Sequence, residues 1–225
     1  GVFGESYIKS LDKLLADRFP SLNYRLINKG RTGDTIYSLL KRAERDVISQ
    51  RPNIVFILIG ANDVVLRNPE SLKALQEHSG IEDQIPSKDL NEFRSYYNQL
   101  VNYIKQFTRT RIILCSTGII GEDLKNRFNR ELVQINIAIR KIANDYRMDY
   151  IDISGAFHRE LKNFHPKTDY TPRLPDIYED LELLKTTTPD KLSQERGLKV
   201  TYDGGHLNTR GAQIVAEMFY DYLTG

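Results

Sequence analysis

The chain has 225 residues, 40% of them apolar and 28% charged, and a formal net charge of only +2. That balance fits a soluble globular domain and argues against disorder, and without a dense Lys/Arg block it offers no general surface for nucleic acid. The longest apolar run, Ile54 to Ile59, is too short to span a bilayer, and a single cysteine, Cys115, excludes an intrachain disulfide or a multi-thiolate metal site. A lone thiol is compatible with a reducing, cytoplasmic compartment.

In chain order, Ile8, Leu11, Leu14, Leu15 and Phe19 recur at helical spacing, and residues 24–28 then read as a strand. Ile36, Leu39, Leu40, Ala43 and Val47 form a second helical stripe. Residues 54–59 are a β-branched run, apolar on both faces, and read as the most buried strand. Residues 68–89 are polar and read as a loop with a short helix; a helix over about 90–107 follows, then a strand over 111–115. Leu132, Ile135, Ile139 and Ile142 mark the next helix, 149–153 a fourth strand and 212–223 a last helix. Residues 155–200 are rich in Pro, Thr, Asp and Lys and read as a long loop, an insertion over about 158–200 beside the active site or a solvated surface excursion. Strands alternating with helices predict a single α/β domain, a sandwich around a parallel sheet.

Three polar motifs stand out. Thr201-Tyr202-Asp203-Gly204-Gly205-His206-Leu207-Asn208 places an aspartate three residues before a histidine on a glycine-rich turn. Folded back, Asp203 can hold one imidazole nitrogen of His206 and leave the other to take a proton; alone, the same spacing also suits a polar turn that caps the last helix. Gly60-Ala61-Asn62-Asp63 follows the strand at 54–59, where an open α/β sheet binds ligands. Asn62 can aim its amide at a developing oxyanion, or Asn62 or Asp63 can cap a turn. In Asn28-Lys29-Gly30-Arg31-Thr32-Gly33-Asp34-Thr35, Gly33 can offer a backbone N–H to an anion while Asp34 or Thr35 caps a helix; neither dinucleotide nor phosphate-loop spacing is present.

The order of a glycine, a G-x-N-D and a D-x-x-H-L before the last helix resembles the SGNH/GDSL hydrolases, and the resemblance spans about residues 5–222. It implies a three-layer α/β/α sandwich with a flavodoxin-like parallel sheet, and a serine esterase, lipase or carbohydrate deacetylase that needs no cofactor or metal. By that resemblance His206 is the general base, Asp203 orients it, and Gly33 and Asn62 donate to the oxyanion. The expected partner is a small-molecule ester, with no nucleic acid and no membrane span; the oligomeric state is not readable.

The family's first block, an apolar strand followed by Gly-Asp-Ser, has no match. The nearest triplet, Gly4-Glu5-Ser6, lies too close to Gly1 to follow a buried strand, and Ser6 falls at the start of the first helix. The expectation is therefore a strand and a Gly-Asp-Ser turn ahead of Gly1, pairing between 24–28 and 54–59, with Ser6 as the alternative nucleophile. Ser6-x-x-Lys9 lacks the companion motifs of a β-lactamase. The runner-up function is an inactive SGNH-fold binding domain. A phosphate-binding signalling domain would have no use for the Asp203–His206 pair.

Other chemistry-bearing residues have simpler readings. His158, His165 and Asp169 share one polar stretch; their loose spacing suits a substrate wall or the surface better than a metal site, which stays the alternative. Tyr146, Tyr150, Tyr170, Tyr178 and Tyr202 are expected to pack with their hydroxyls at the surface, some of them along a groove. Cys115 is expected in the core.

Overall fold

The computed structural model describes residues 6–79, 83–166 and 174–225. They fall into two compact units. One runs from Gly33 to Gly118 and from Lys125 to Ser154; the other takes the chain up to Thr32, Ile119–Leu124 and everything from Gly155 onward.

The first of these units holds the sheet. Strands β1 (Ile54–Leu58), β2 (Arg111–Cys115) and β3 (Asp149–Ile151) run parallel in the order β1-β2-β3. The central position of β2 makes it the most buried strand, with Ile112 to Cys115 all buried, whereas β1 is mostly half-buried. This corrects the expectation for 54–59: hydrophobicity on both faces does not reveal which strand is central. The strand at 149–153 is also shorter than expected, because Ile153 already begins the next helix.

Helices α2 (Ile36–Ala43), α3 (Ala61–Val65), α4 (Pro69–Ser79), α5 (Leu90–Phe107) and α6 (Arg127–Tyr146) belong to the same unit. Each start that matters has a local cause. Thr35 and Ser38 close a reciprocal capping box at α2, Asp89 accepts from the N–H of Glu92 at α5, and Asn126 accepts from that of Asn129 at α6. A π-helical turn, Glu44–Ile48, extends α2. The stripes expected on α5 and α6 are buried: Phe93, Tyr97, Leu100, Val101 and Ile104 on one, Leu132, Ile135, Ile139 and Ile142 on the other.

In the other unit, α1 (Tyr7–Arg18) packs its Leu11 and Leu15 face along α10 (Thr209–Thr224), with the rings of Tyr7 and Phe219 edge to face at 5.7 Å. Residues 24–28 form no strand. They have no ladder partner among the described residues, and an extended segment becomes a strand only when a neighbour accepts and donates its backbone bonds. The stretch 155–200 is far from loop-like, since it carries α7 (Ile153–Leu161), α8 (Leu174–Leu183) and α9 (Pro189–Arg196). Thr188 caps α9, Pro189 fills its first position and Gly197 ends it in the left-handed region. Within 68–89 the short helix expected there is present as α4.

Candidate active site

The four expected site residues divide two and two: Gly33 and Asn62 in the sheet-bearing unit, Asp203 and His206 in the other.

Gly33 has φ +77°, and a Cβ there would lie 2.6 Å from Gln84 Nε2 and 2.7 Å from Leu75 Cδ2, so both conformation and space demand glycine. The Asn62 side chain donates from Nδ2 to the Asp34 carbonyl at 2.9 Å, which ties the turn after β1 to the turn before α2. Asp63 strengthens the same joint. It is fully buried, and its carboxylate accepts from the N–H groups of Ile36 at 2.9 Å and Ser87 at 3.0 Å. Burial pushes the Asp63 carboxyl up, against the pull of those backbone donors. Asp34 is held from its other side by Arg42, which also pairs with Asp46. Thus neither Asn62 nor Asp63 caps a turn: both are cross-links between loops, while Thr35 is the cap.

The histidine-bearing segment is a closed loop. Thr201 and Leu207 bridge antiparallel, Tyr202 N–H donates to His206 O at 3.0 Å, and Gly204 turns the chain at φ +83°. Asp203 is 1% exposed at the centre of this turn. Its Oδ1 accepts from the N–H groups of Gly205 at 2.9 Å and His206 at 2.6 Å, and its Oδ2 faces His206 Nδ1 at 2.6 Å. An ionised carboxylate only accepts, so in the neutral imidazole Nδ1 carries the proton and Nε2 the lone pair. Burial alone would raise the Asp203 carboxyl; the charge and hydrogen bond of His206, together with the backbone donors, outweigh it and the net shift is downward. The Tyr202 ring stacks on the imidazole with centroids 5.9 Å apart. Tyr202 is fully buried, hydroxyl included, unlike the half-buried Tyr146, Tyr150 and Tyr178.

Supports for this loop include residues that sequence reasoning missed. Arg196 donates from Nη1 to the Tyr202 carbonyl at 2.8 Å and pairs through both terminal nitrogens with the buried Asp180, so α8 and α9 hold the residue before Asp203. Asn208 caps α10 through Gly211 N–H and donates to the Lys199 carbonyl at 3.1 Å. A Cβ on Gly211 would meet the Val200 carbonyl oxygen at 2.1 Å. Nothing in the composition of 174–197 announces these bonds; an Asp and an Arg sixteen residues apart meet only once both helices form.

The remaining candidates separate cleanly. Ser6 is the N-cap of α1, its side chain making no cap bond, while Gly4 and Glu5 lie outside the described residues. His158 is on α7 and His165 just beyond it; Asp169 and Tyr170 lie outside the described residues. No group of three or more His, Cys, Asp or Glu among the described residues could hold a metal, and no described helix is long and apolar enough to cross a membrane. Cys115 is buried, and burial pushes its thiol far up.

The model of the GDSL-like lipase/acylhydrolase family matches residues 2–214. The chain belongs to this family. Its class is that of the carboxylic ester hydrolases. An acetylxylan esterase of Geobacillus stearothermophilus is 29% identical over 166 residues, 74% of this chain and 71% of that protein. The crystal structure of an acetylxylan esterase from the same organism superimposes with a TM-score of 0.66 at 26% identity, covering 100% of this chain and 85% of its own. Catalytic variants of that esterase have been made at a serine, an aspartate and a histidine, the last two three positions apart, which is the spacing of Asp203 and His206. LAE5, an α/β hydrolase from the metagenome of Lake Arreo, Spain, shares the fold at a TM-score of 0.68 and 22% identity, over 96% of this chain and 80% of its own. The fold is accordingly the α/β/α hydrolase fold with a parallel sheet.

Proposed function

We propose that this family member removes short acyl groups, acetyl foremost, from decorated carbohydrate by a Ser-His-Asp mechanism. The observation that carries the reading is the 2.6 Å contact of His206 Nδ1 with a buried Asp203 whose other oxygen is saturated by two backbone donors. Such an aspartate cannot turn away, so the imidazole is held in one orientation and one tautomer. The acetyl preference rests on the likeness to an acetylxylan esterase.

In the proposed cycle, His206 Nε2 takes the proton of the serine hydroxyl as its oxygen attacks the ester carbonyl. The carbonyl oxygen becomes an oxyanion, met by the Gly33 N–H and Asn62 Nδ2. The amide of Asn62 has two hydrogens; one goes to Asp34 O, and the second serves the oxyanion. As the intermediate collapses, the ester C–O bond breaks and His206 returns the proton to the leaving alcohol. Water, deprotonated by the same imidazole, then releases acetate and the serine. The serine this mechanism requires is of the family's Gly-Asp-Ser type; Ser6, the N-cap of a helix, is poorly suited to attack.

The test uses the full-length enzyme with p-nitrophenyl esters of graded acyl length and acetylated xylo-oligosaccharides. The expected result is a preference for acetyl, abolished in His206→Ala, and a single serine labelled by a fluorophosphonate, with Ser6 left unlabelled. Wild-type turnover by a folded His206→Ala variant refutes the mechanism, and a preference for long acyl chains refutes the substrate.

A further inference from the structure

We infer that Glu122 is a positioning residue for the base: its carboxylate is the mould on which the Asp203–His206 turn is set. This rests on His206 acting as the base. Glu122 is 2% exposed, yet it lies far from the turn in sequence. Its Oε2 accepts from Lys199 N–H at 2.7 Å, and its Oε1 accepts from Val200 N–H at 2.8 Å, Thr201 N–H at 2.8 Å and the Thr201 hydroxyl at 2.7 Å. Successive backbone N–H groups that converge in this way form a concavity for an anion, and here a side chain fills it. The neighbouring Gly121, at φ +75°, donates its N–H to the Gly204 carbonyl. The pair Gly121–Glu122 therefore grips the chain two residues before Asp203 and one residue after it.

Chemistry favours a carboxylate over any neutral residue at this place. All four partners donate, and an ionised carboxylate accepts at both oxygens with charge-assisted strength. A glutamine of the same shape can satisfy the three donors at Oε1 only by turning its NH₂ toward Lys199 N–H, so two donors face each other. The turn then shifts at its entry, and the imidazole shifts with it. A misplacement of about 1 Å in a reacting group costs on the order of 10²-fold in rate.

The experiment compares Glu122→Gln with the wild type in the full-length enzyme. Steady-state kinetics on acetylated substrate are read together with the downfield proton resonance of the His206 Nδ1–H···Asp203 bond and with circular dichroism. The expected result is a fall in kcat of roughly 10- to 100-fold at nearly constant KM, with that resonance broadened or lost and the fold retained. A purely structural role would lower the melting temperature and leave the kcat of the folded fraction and the resonance as they are. Wild-type kcat with an intact resonance in Glu122→Gln overturns the inference. Should that variant not fold, Thr201→Val removes one donor and leaves the carboxylate in place. A several-fold loss of kcat at constant KM supports the inference, and an unchanged kcat and resonance overturn it. The resonance needs no turnover, so it separates this inference from the proposed mechanism: if His206→Ala remains active, the mechanism falls while the effect of Glu122 on the resonance still stands.

Discussion

Asp203→Asn tests the assigned roles more sharply than truncation does. The asparagine oxygen can take the place of Oδ1 and keep the N–H bonds of Gly205 and His206, now 2.9 and 2.6 Å long. The turn then survives, but with Asn Nδ2 facing the imidazole. Nδ1 must now accept, the proton moves to Nε2, and the base is lost. A comparable tautomer inversion in a serine protease lowers kcat by about 10⁴, and the same order is expected here, with KM little changed. The stability cost is smaller: two charge-assisted bonds become neutral, about 1–2 kcal/mol together. The variant also carries a pH signature. Because the folded-state pKa of Asp203 is depressed, its stabilisation is full above the ordinary aspartate value of about 4 and lost as pH falls through the lower folded value. The gap in melting temperature between wild type and variant should therefore narrow on acidification below about pH 4. Acetate release followed in a pH-stat and calorimetric melts at several pH values provide the measurements. An Asp203→Asn enzyme with more than about a tenth of wild-type kcat would refute the tautomer argument.

Three further outcomes follow from single side chains. Asn62→Ala should lower kcat by roughly 10²–10³ through loss of an oxyanion donor; an equal change in KM with kcat intact would remove Asn62 from that role. Gly211→Ala should destabilise the protein by about 2–3 kcal/mol or more, because its Cβ would stand 2.1 Å from a backbone oxygen, and an unchanged melting temperature would contradict the packing. Tyr97→Phe should be neutral or stabilising by about 1 kcal/mol, since the hydroxyl is buried with no partner among the described residues; a clear loss of stability would show that the hydroxyl has one.

The parts of the fold that were legible in the sequence are those whose signal is local. The runs at 54–59 and 111–115 are strands, and the stripes on α5 and α6 are helices, because burial on one or both faces sets the residue period directly. Helix α9 escaped because it exposes most of its surface, with Leu192 and Ser193 as its buried residues. Residues 24–28 have the composition of a strand, but pairing depends on a neighbour that composition cannot report. Asp203 and His206 were visible because three residues separate them. Glu122 was invisible because its donors lie 77 to 79 residues away, and a buried carboxylate makes sense only once those N–H groups converge.

The pairing of α1 with α10 has a consequence for biosynthesis. Helix α1 leaves the ribosome about 190 residues before the start of the helix that covers it. At 5–20 residues per second that interval is roughly 10–40 s, during which Leu11 and Leu15 have no permanent partner. The nascent chain thus displays an uncovered apolar stripe, a natural target for chaperones, for the whole of that interval. The segment Gly204–His206 is translated only shortly before α10, so the loop that carries the base and the helix that shelters α1 become available almost together.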